Sequence, residues 1–244
     1  MKDDRAEFEQ QARRDAIALG EDEAINRDGL HLLREAGKHR YTYLWSWLGV
    51  PIIQVPSDVM AMQEIIWETK PDIIIETGIA RGGSAIFLAS MLQLLGRGTV
   101  VGVDIDIRAH NRDSIESHPL GHRVRLIEGS STDPDTLAQV IAMIEPGGKV
   151  MVILDSDHSY THVKNELAAY APLVTEGQFL IVADTGLAIE SDNFTPPHGW
   201  GNGNDPMAAM DEFLAAGDRF EIDPVYNGKL LMTSSPRGYL RCVR

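Results

Sequence analysis

Cysteine is nearly absent: Cys242 is the single one in 244 residues. No intrachain disulfide can form, and a reducing compartment, the cytoplasm, is the expected location. Long apolar runs are also missing. Nothing approaches the roughly 20 residues needed to cross a bilayer, so insertion into a membrane is not expected. The first residues, MKDDRAEFEQQARRD, are charged and carry no apolar stretch, which argues against a secretory signal. Basic residues are scarce, with 22 Lys and Arg against 36 Asp and Glu and a formal net charge of −14. Such a surface repels phosphate backbones, and no local basic patch offsets it, so nucleic acid is not an expected partner. Neither a GxGxxG fingerprint nor a GxSxG elbow occurs, which disfavours dinucleotide binding and serine-hydrolase chemistry. No repeat or low-complexity linker divides the chain.

What is present changes character near residue 56. Residues 5–19 and 22–37 carry Ala, Leu, Glu and Arg at helical spacing, followed by Tyr41, Tyr43, Trp45 and Trp47, either packing residues or a substrate lid. Pro51 and Pro56 read as an extended segment closing this region. The expected division is a helical N-terminal extension over 1–55, for oligomerisation or as a lid, and a ligand-binding domain over 56–244. Beyond it, Val- and Ile-rich runs at 72–77, 99–104, 123–128, 149–155 and 178–184 alternate with helical segments at 83–95, 133–144 and 161–173. The runs lack period-two alternation, as expected of strands covered on both faces of a parallel, doubly wound α/β sheet. A Gly-, Asn- and Pro-rich loop follows over 186–205, then a helix over 206–216. Two short strands, RFEIDPV and GYLRCVR, are expected to form a closing β-hairpin. This succession is that of the class I methyltransferases, a Rossmann-like, seven-stranded, mostly parallel sheet.

Ligands of such sheets bind beyond the carboxyl ends of the strands, so the residues ending each run are the candidates. The first run ends in ETGIARGGS. There Glu76 is placed to meet an ammonium or sulfonium group, Gly78 and Gly82 let backbone approach a ligand, and a helix opens near Ser84. The second ends at Asp104, with Asp106 two residues on, where a carboxylate can accept from both ribose hydroxyls of an adenosine-bearing ligand. The third ends in EGSSTDP: Ser130 or Ser131 can reach an adenine ring, while Thr132 or Asp133 suits a helix cap. The fourth ends in LDSDHSYTH and the fifth in VADT, bringing Asp155 and Asp184 together across the cleft mouth. Two close carboxylates repel unless a cation or proton separates them, and oxygen ligands suit Mg²⁺. Asp157 is alternatively a helix cap. Asp155 with His158 and His162 would instead imitate a two-histidine, one-carboxylate iron site.

The segments WLGVPIIQVPSDVMAMQEII, ETGIARGGSA, EGSSTDP, LDSDHSYTHVKNEL and TSSPRGYL together resemble the cephalosporin hydroxylase family, whose members are similar to S-adenosylmethionine-dependent methyltransferases and include rhamnosyl O-methyltransferases. The resemblance spans about residues 41–243. It implies an S-adenosylmethionine-dependent O-methyltransferase, assisted by Mg²⁺, acting on a small-molecule acceptor with a free hydroxyl, such as a sugar of a glycosylated natural product or glycolipid, and a homo-oligomer. With the strand-end reading above, the expected cofactor site is Glu76, Gly78, Arg81, Gly82, Ser84, Asp104, Asp106, Ser130, Ser131 and Asp155. The implied metal set is Asp155, Asp184 and Thr185, and the implied bases are Asp157 and His158. The chain departs from relatives at the fifth run: Ala183, Asp184 and Thr185 stand where those have two ligands, so one is missing or is supplied by the Thr185 hydroxyl or by water. An oxidoreductase using NAD or iron, or a non-catalytic protein that binds the same cofactor, is the alternative.

Overall fold

The computed structural model describes residues 3–189 and 197–244. A seven-stranded sheet forms its centre. Five strands run parallel: β3 (Ile73–Thr77), β4 (Thr99–Asp104), β5 (Val124–Glu128), β6 (Val150–Leu154) and β7 (Phe179–Val182). Two more, β8 (Phe220–Ile222) and β9 (Tyr239–Cys242), close one edge antiparallel, in the order β5-β4-β3-β6-β7-β9-β8. The chain reverses its direction of growth between β3 and β6, which defines the switch point where ligands of such sheets sit.

All five residues of β3 and of β6 are buried, because helices cover both faces. On one face Ile74, Met151, Ile153 and Ile181 pack with Ile86, Phe87 and Leu88 of α4 (Gly83–Leu95). On the other, Ile75, Val101, Val152 and Leu180 pack with Val163 and Leu167 of α7 (Tyr160–Tyr170) and Met210 of α8 (Pro206–Ala215). Double coverage explains why these strands read as continuous apolar runs.

Asp-Pro pairs start three helices. In α6 (Pro134–Ile141), α8 and α9 (Pro224–Lys229), the Asp carboxylate accepts first-turn N–H groups while proline, whose missing N–H costs nothing there, takes the first helical position. The expected closing pair of antiparallel strands is present, and only its connection differs. The run RFEIDPV is a strand only to Ile222, and Asp223-Pro224 then opens α9, so β8 and β9 pair across a helix rather than a tight turn. Pro56 likewise begins an element instead of ending one. It stands first in α3 (Pro56–Thr69), and the short antiparallel pair β1 (Trp45–Trp47) and β2 (Val50–Ile52) precedes it. A further helix, α5 (Ala109–Glu116), joins β4 to β5.

The N-terminal helix α1 (Arg5–Gly20) lies against α9, and α2 (Glu23–Gly37) meets the chain just beyond it, where a Cβ on Gly29 would stand 2.2 Å from the Leu231 carbonyl oxygen. Glycine permits the approach: a Cβ on Gly228 would stand 2.2 Å from the carbonyl oxygen of Ala16. The β1–β2 pair packs on α4 through Trp47, whose ring meets Phe87 edge-on and whose Nε1 donates to Ser90 Oγ at 3.0 Å. Trp47 is thus a packing residue, while Tyr43 stays half exposed at the rim of the cleft.

Candidate active site

Two recesses of about 280 and 420 Å³ open at the carboxyl ends of β3 to β7, sharing Gly78, Ala80, Asp155 and Ser156. Arg81, Ser84, His158 and Asp184 border the smaller. Asp104, Ser130, Ser131, Asp157 and Trp200 border the larger.

The β3–α4 turn is held by its neighbours. Gly78 has φ +82°, and a Cβ there would stand 2.0 Å from the Asp155 carbonyl oxygen, so this glycine lets the first strand end abut the fourth. Asp104 Oδ2 accepts from the backbone N–H groups of Ile79 and Ala80 at 3.0 and 3.1 Å, and Oδ1 from Asp106 N–H at 3.1 Å. The acid thereby braces the turn while bordering the recess. Gly82 also packs tightly, with Ile115 side-chain carbons 2.5 Å from where its Cβ would be. Arg81 lies 3.3 Å from His110 Nε2 at the surface.

Glu76 sits behind this turn, 1% exposed, with Oε2 lacking any partner among the described residues. Burial and the nearby Asp104 charge push its carboxyl up to about 8, although Ser84 hydrogen bonding pulls the other way. A buried acid with a free oxygen accommodates a cationic ligand group better than it accommodates isolation.

Side-chain direction brings three potential ligand atoms together at the cleft mouth. Asp155, His158 and Asp184 each present one ligand atom, all within 4.8 Å of one another. Burial, then the Asp184, Glu76 and Glu166 charges, hold the Asp155 carboxyl well above the usual range, which is the electrostatic signature of a place that a cation would relieve. Gln54 donates its Nε2–H to Asp155 Oδ2 at 3.0 Å, and His158 Nε2 lies 3.1 Å from Asp184 Oδ2. This donor set of two carboxylates and an imidazole fits a divalent ion.

Three expectations need correction. Thr185 turns inward: it is fully buried, and its hydroxyl donates to the Pro236 carbonyl at 2.6 Å, because Asp184 before it adopts a left-handed conformation (φ 54°, ψ 26°). The third potential ligand atom beside Asp155 and Asp184 belongs to His158 instead. Asp106 lines neither recess and pairs with Arg108 at 3.2 Å, more than half exposed. The alternative iron triad does not assemble among the described residues, since His162 Nε2 faces Ser131 and Ser156 rather than Asp155.

Asp157 remains exposed at the rim. Its Oδ1 accepts Ser159 N–H at 2.8 Å just ahead of α7, which holds its carboxyl below the usual range despite partial desolvation. The capping alternative at EGSSTDP is met by Asp133, which accepts from the N–H groups of Asp135 and Thr136. Residues 190–196 of the expected substrate loop lie outside the described residues. Trp200, from its far end, places its ring edge-on to His158 with centroids 4.7 Å apart.

Sequence reasoning missed the supports. Asp58, 1% exposed on α3, accepts from Thr233 Oγ1 at 2.6 Å, Tyr239 Oη at 2.9 Å and Ser234 N–H at 3.1 Å. Burial still pushes its carboxyl up to about 6. Through this anchor the 233–238 segment is fixed, and it in turn holds the Asp184 turn: Ser235 Oγ accepts Asp184 N–H and the Ser234 carbonyl accepts Gly186 N–H. Both partners lay within the quoted segments VPSDVM and TSSPRGYL, but nothing in their spacing pairs them.

A seven-stranded, mostly parallel sheet with recesses and an acid-lined mouth at its switch point has the class I methyltransferase fold. Residues 39–243 match the rhamnosyl O-methyltransferase/CmcI family, to which the chain belongs. It is 32% identical over 215 residues to a rhamnosyl O-methyltransferase of Mycobacterium tuberculosis, covering 83% of this chain and 82% of that protein. A Mycobacterium leprae protein of the same description is 34% identical over 156 residues, covering 61% and 66%. Among solved structures, CmcI without ligand superposes with TM-score 0.59 at 22% identity, covering 83% of this chain and 77% of that one. A Bacillus cereus O-methyltransferase in complex with SAH superposes with TM-score 0.51 at 20% identity, covering 80% and 81%. Both support the fold.

Proposed function

We propose that this chain is an S-adenosylmethionine-dependent O-methyltransferase that uses a divalent cation, Mg²⁺ first, to methylate a sugar hydroxyl of a glycosylated small molecule. The convergence of Asp155, His158 and Asp184 beside a recess bordered by Asp104 carries the reading. The reaction class comes with the family, and the sugar acceptor rests on relatives described as rhamnosyl O-methyltransferases.

S-adenosylmethionine supplies an electrophilic methyl group on a sulfonium. A divalent cation at the acid cluster supplies Lewis-acid chemistry that makes a hydroxyl more acidic. The chain's residues do the rest. Asp155 and Asp184, with His158 beside them, would hold the cation, and Gln54 keeps the Asp155 carboxylate in place. Glu76, buried with one free oxygen, offers a counter-charge for the cationic end of the cofactor, while Asp104 offers its carboxylate edge to the ribose. Arg81, Ser84, Ser130 and Ser131 border the remaining cofactor volume. Two groups stand ready to take the acceptor's proton. His158 is oriented by Asp184 and Trp200; Asp157 keeps one oxygen open at the rim. If His158 ligates the cation, Asp157 is the base, and the order of their alanine effects distinguishes the two.

The test is methyl transfer from S-adenosylmethionine to a panel of rhamnosides and other glycosides, read by mass spectrometry with Mg²⁺ and with chelator. Methylated sugar that disappears with chelator is the expected result. Methylation indifferent to chelator would remove the cation, and transfer to none of the panel would remove the sugar hydroxyl.

A further inference from the structure

His162 and Glu166 take no part in the scheme above, yet they form the most constrained polar group in the larger recess. Glu166, on α7, is fully buried, and its Oε2 has no partner among the described residues. Its Oε1 accepts the Ser156 hydroxyl at 2.7 Å and lies 3.5 Å from His162 Nε2, one turn back on the same helix. That same nitrogen is 3.0 Å from Ser156 Oγ and 3.1 Å from Ser131 Oγ. Ser131, Ser156 and His162 all border the recess that Asp104 also borders.

A count of hydrogens fixes the direction of every bond. A serine hydroxyl has one proton to give, and that of Ser156 goes to Glu166. The contact between Ser156 Oγ and His162 Nε2 therefore needs a hydrogen on the imidazole, so Nε2 carries N–H whether the ring is neutral or charged. A nitrogen that bears hydrogen has no lone pair to offer in the ring plane, so Ser131 cannot donate to it; the Ser131 oxygen instead faces the shared N–H. Its own hydroxyl hydrogen is left without an acceptor among the described residues, at the recess wall. Tyr170 Oη, donating to the Ser131 carbonyl at 2.8 Å, holds that residue in place.

The same geometry excludes a serine nucleophile. A catalytic triad places serine and carboxylate on opposite ring nitrogens, whereas here both face Nε2.

We propose that Glu166, Ser156 and His162 form a relay that fixes Ser131 as a hydrogen-bond donor to a ring nitrogen of the cofactor's adenine. The inference rests on the S-adenosylmethionine reading. Adenine ring nitrogens only accept, so a serine whose hydrogen is already committed elsewhere cannot recognise them. His162 and Glu166 are positioning residues, acting through Ser131 without touching the cofactor. Their role explains why a buried carboxylate is kept beside a cleft already bordered by four acids, Asp104, Asp155, Asp157 and Asp184.

Calorimetric binding of S-adenosylhomocysteine to the full chain tests it, alongside the analogues in which N1, N3 or N7 of the adenine is replaced by carbon. Wild type is expected to bind one of the three analogues roughly 5- to 10-fold more weakly, the cost of one hydrogen bond. Ser131→Ala is expected to lose the same factor for S-adenosylhomocysteine and to bind that analogue no worse. His162→Phe should behave like Ser131→Ala, while His162→Gln, whose amide N–H has similar reach, should restore discrimination. Ser131→Ala, which removes a single oxygen, keeps the test open if His162→Phe does not fold. The relay is overturned if wild type binds all three analogues within twofold of the parent, or if His162→Phe discriminates like wild type. Wild type that binds no S-adenosylhomocysteine would instead overturn the cofactor reading, and the relay's ligand with it.

Discussion

Two halves of the same strands follow opposite rules. In the body of β3 and β6, Ile73–Ile75 and Val150–Ile153 are buried, apolar and paired in register. One or two residues further on come two acids, Glu76 buried with an oxygen lacking a partner among the described residues and Asp155 partly buried at the cleft, both with carboxyls pushed upward. The first half adds stability through burial; the second spends some of it to hold charges where a cationic ligand would be needed. Stability and chemistry are thus separated along a strand, not between layers of the fold.

Substitutions on the two sides of this boundary should break in opposite directions. Asp155→Asn removes a crowded carboxylate but keeps its shape, and we expect turnover to fall about 10²- to 10⁴-fold. Its melting temperature should stay the same or rise, since the repulsion with Asp184 and Glu76 is gone. Steady-state kinetics and thermal melts of one preparation check both. Leu88→Ala, on the fully buried face of α4, should do the reverse. It should cost about 2–5 kcal/mol in denaturant unfolding, with turnover of the folded fraction nearly unchanged.

A pH series sharpens the comparison. Glu76 and Asp58 have folded-state values of about 8 and about 6, above their ordinary ones, so the folded protein binds more protons than the unfolded chain between those limits. Their stabilising contribution is complete below the ordinary carboxylate range and is lost as pH rises through about 6 and then about 8. The ligand-free melting temperature should therefore decline from pH 5 to pH 8.5, and Glu76→Gln should flatten the upper part of that decline. An unchanged slope in Glu76→Gln would assign the decline elsewhere. The smallest effect belongs far from the mouth. Asp22 caps α2 by accepting from the N–H groups of Ala24 and Ile25, and Asp22→Ala should cost about 1 kcal/mol or less by denaturant melts, without altering turnover.

Legibility in the sequence followed the same boundary. The covered strands announce themselves as Val and Ile runs, and the acids ending them, Asp104, Asp155 and Asp184, were placed because a parallel sheet presents its ligand edge there. Elements with weak apolar periodicity did not show: α5 buries only Asn111 and Ile115 out of AHNRDSIE. Pro56 and Pro224 were ambiguous, since proline both ends extended segments and opens helices; Asp223 before Pro224, as in Asp133-Pro134, was the available signal. Thr185 was misplaced because the left-handed turn at Asp184 sends the next side chain inward, which no residue pattern reveals. Gln54 and Asp58 were missed for distance: the first meets Asp155 across 101 positions, the second meets Thr233 across 175.

The central claim is that the acid mouth is a divalent-cation site built into a methyltransferase cleft. The direct measurement is calorimetric titration of Mg²⁺, with Mn²⁺ in parallel, into the chain saturated with S-adenosylhomocysteine, in wild type and in Asp155→Asn and Asp184→Asn. The account predicts one cation per chain in wild type and none in either variant, with S-adenosylhomocysteine affinity retained by all three. Wild type that binds neither ion, or variants that bind them as tightly as wild type, would contradict it.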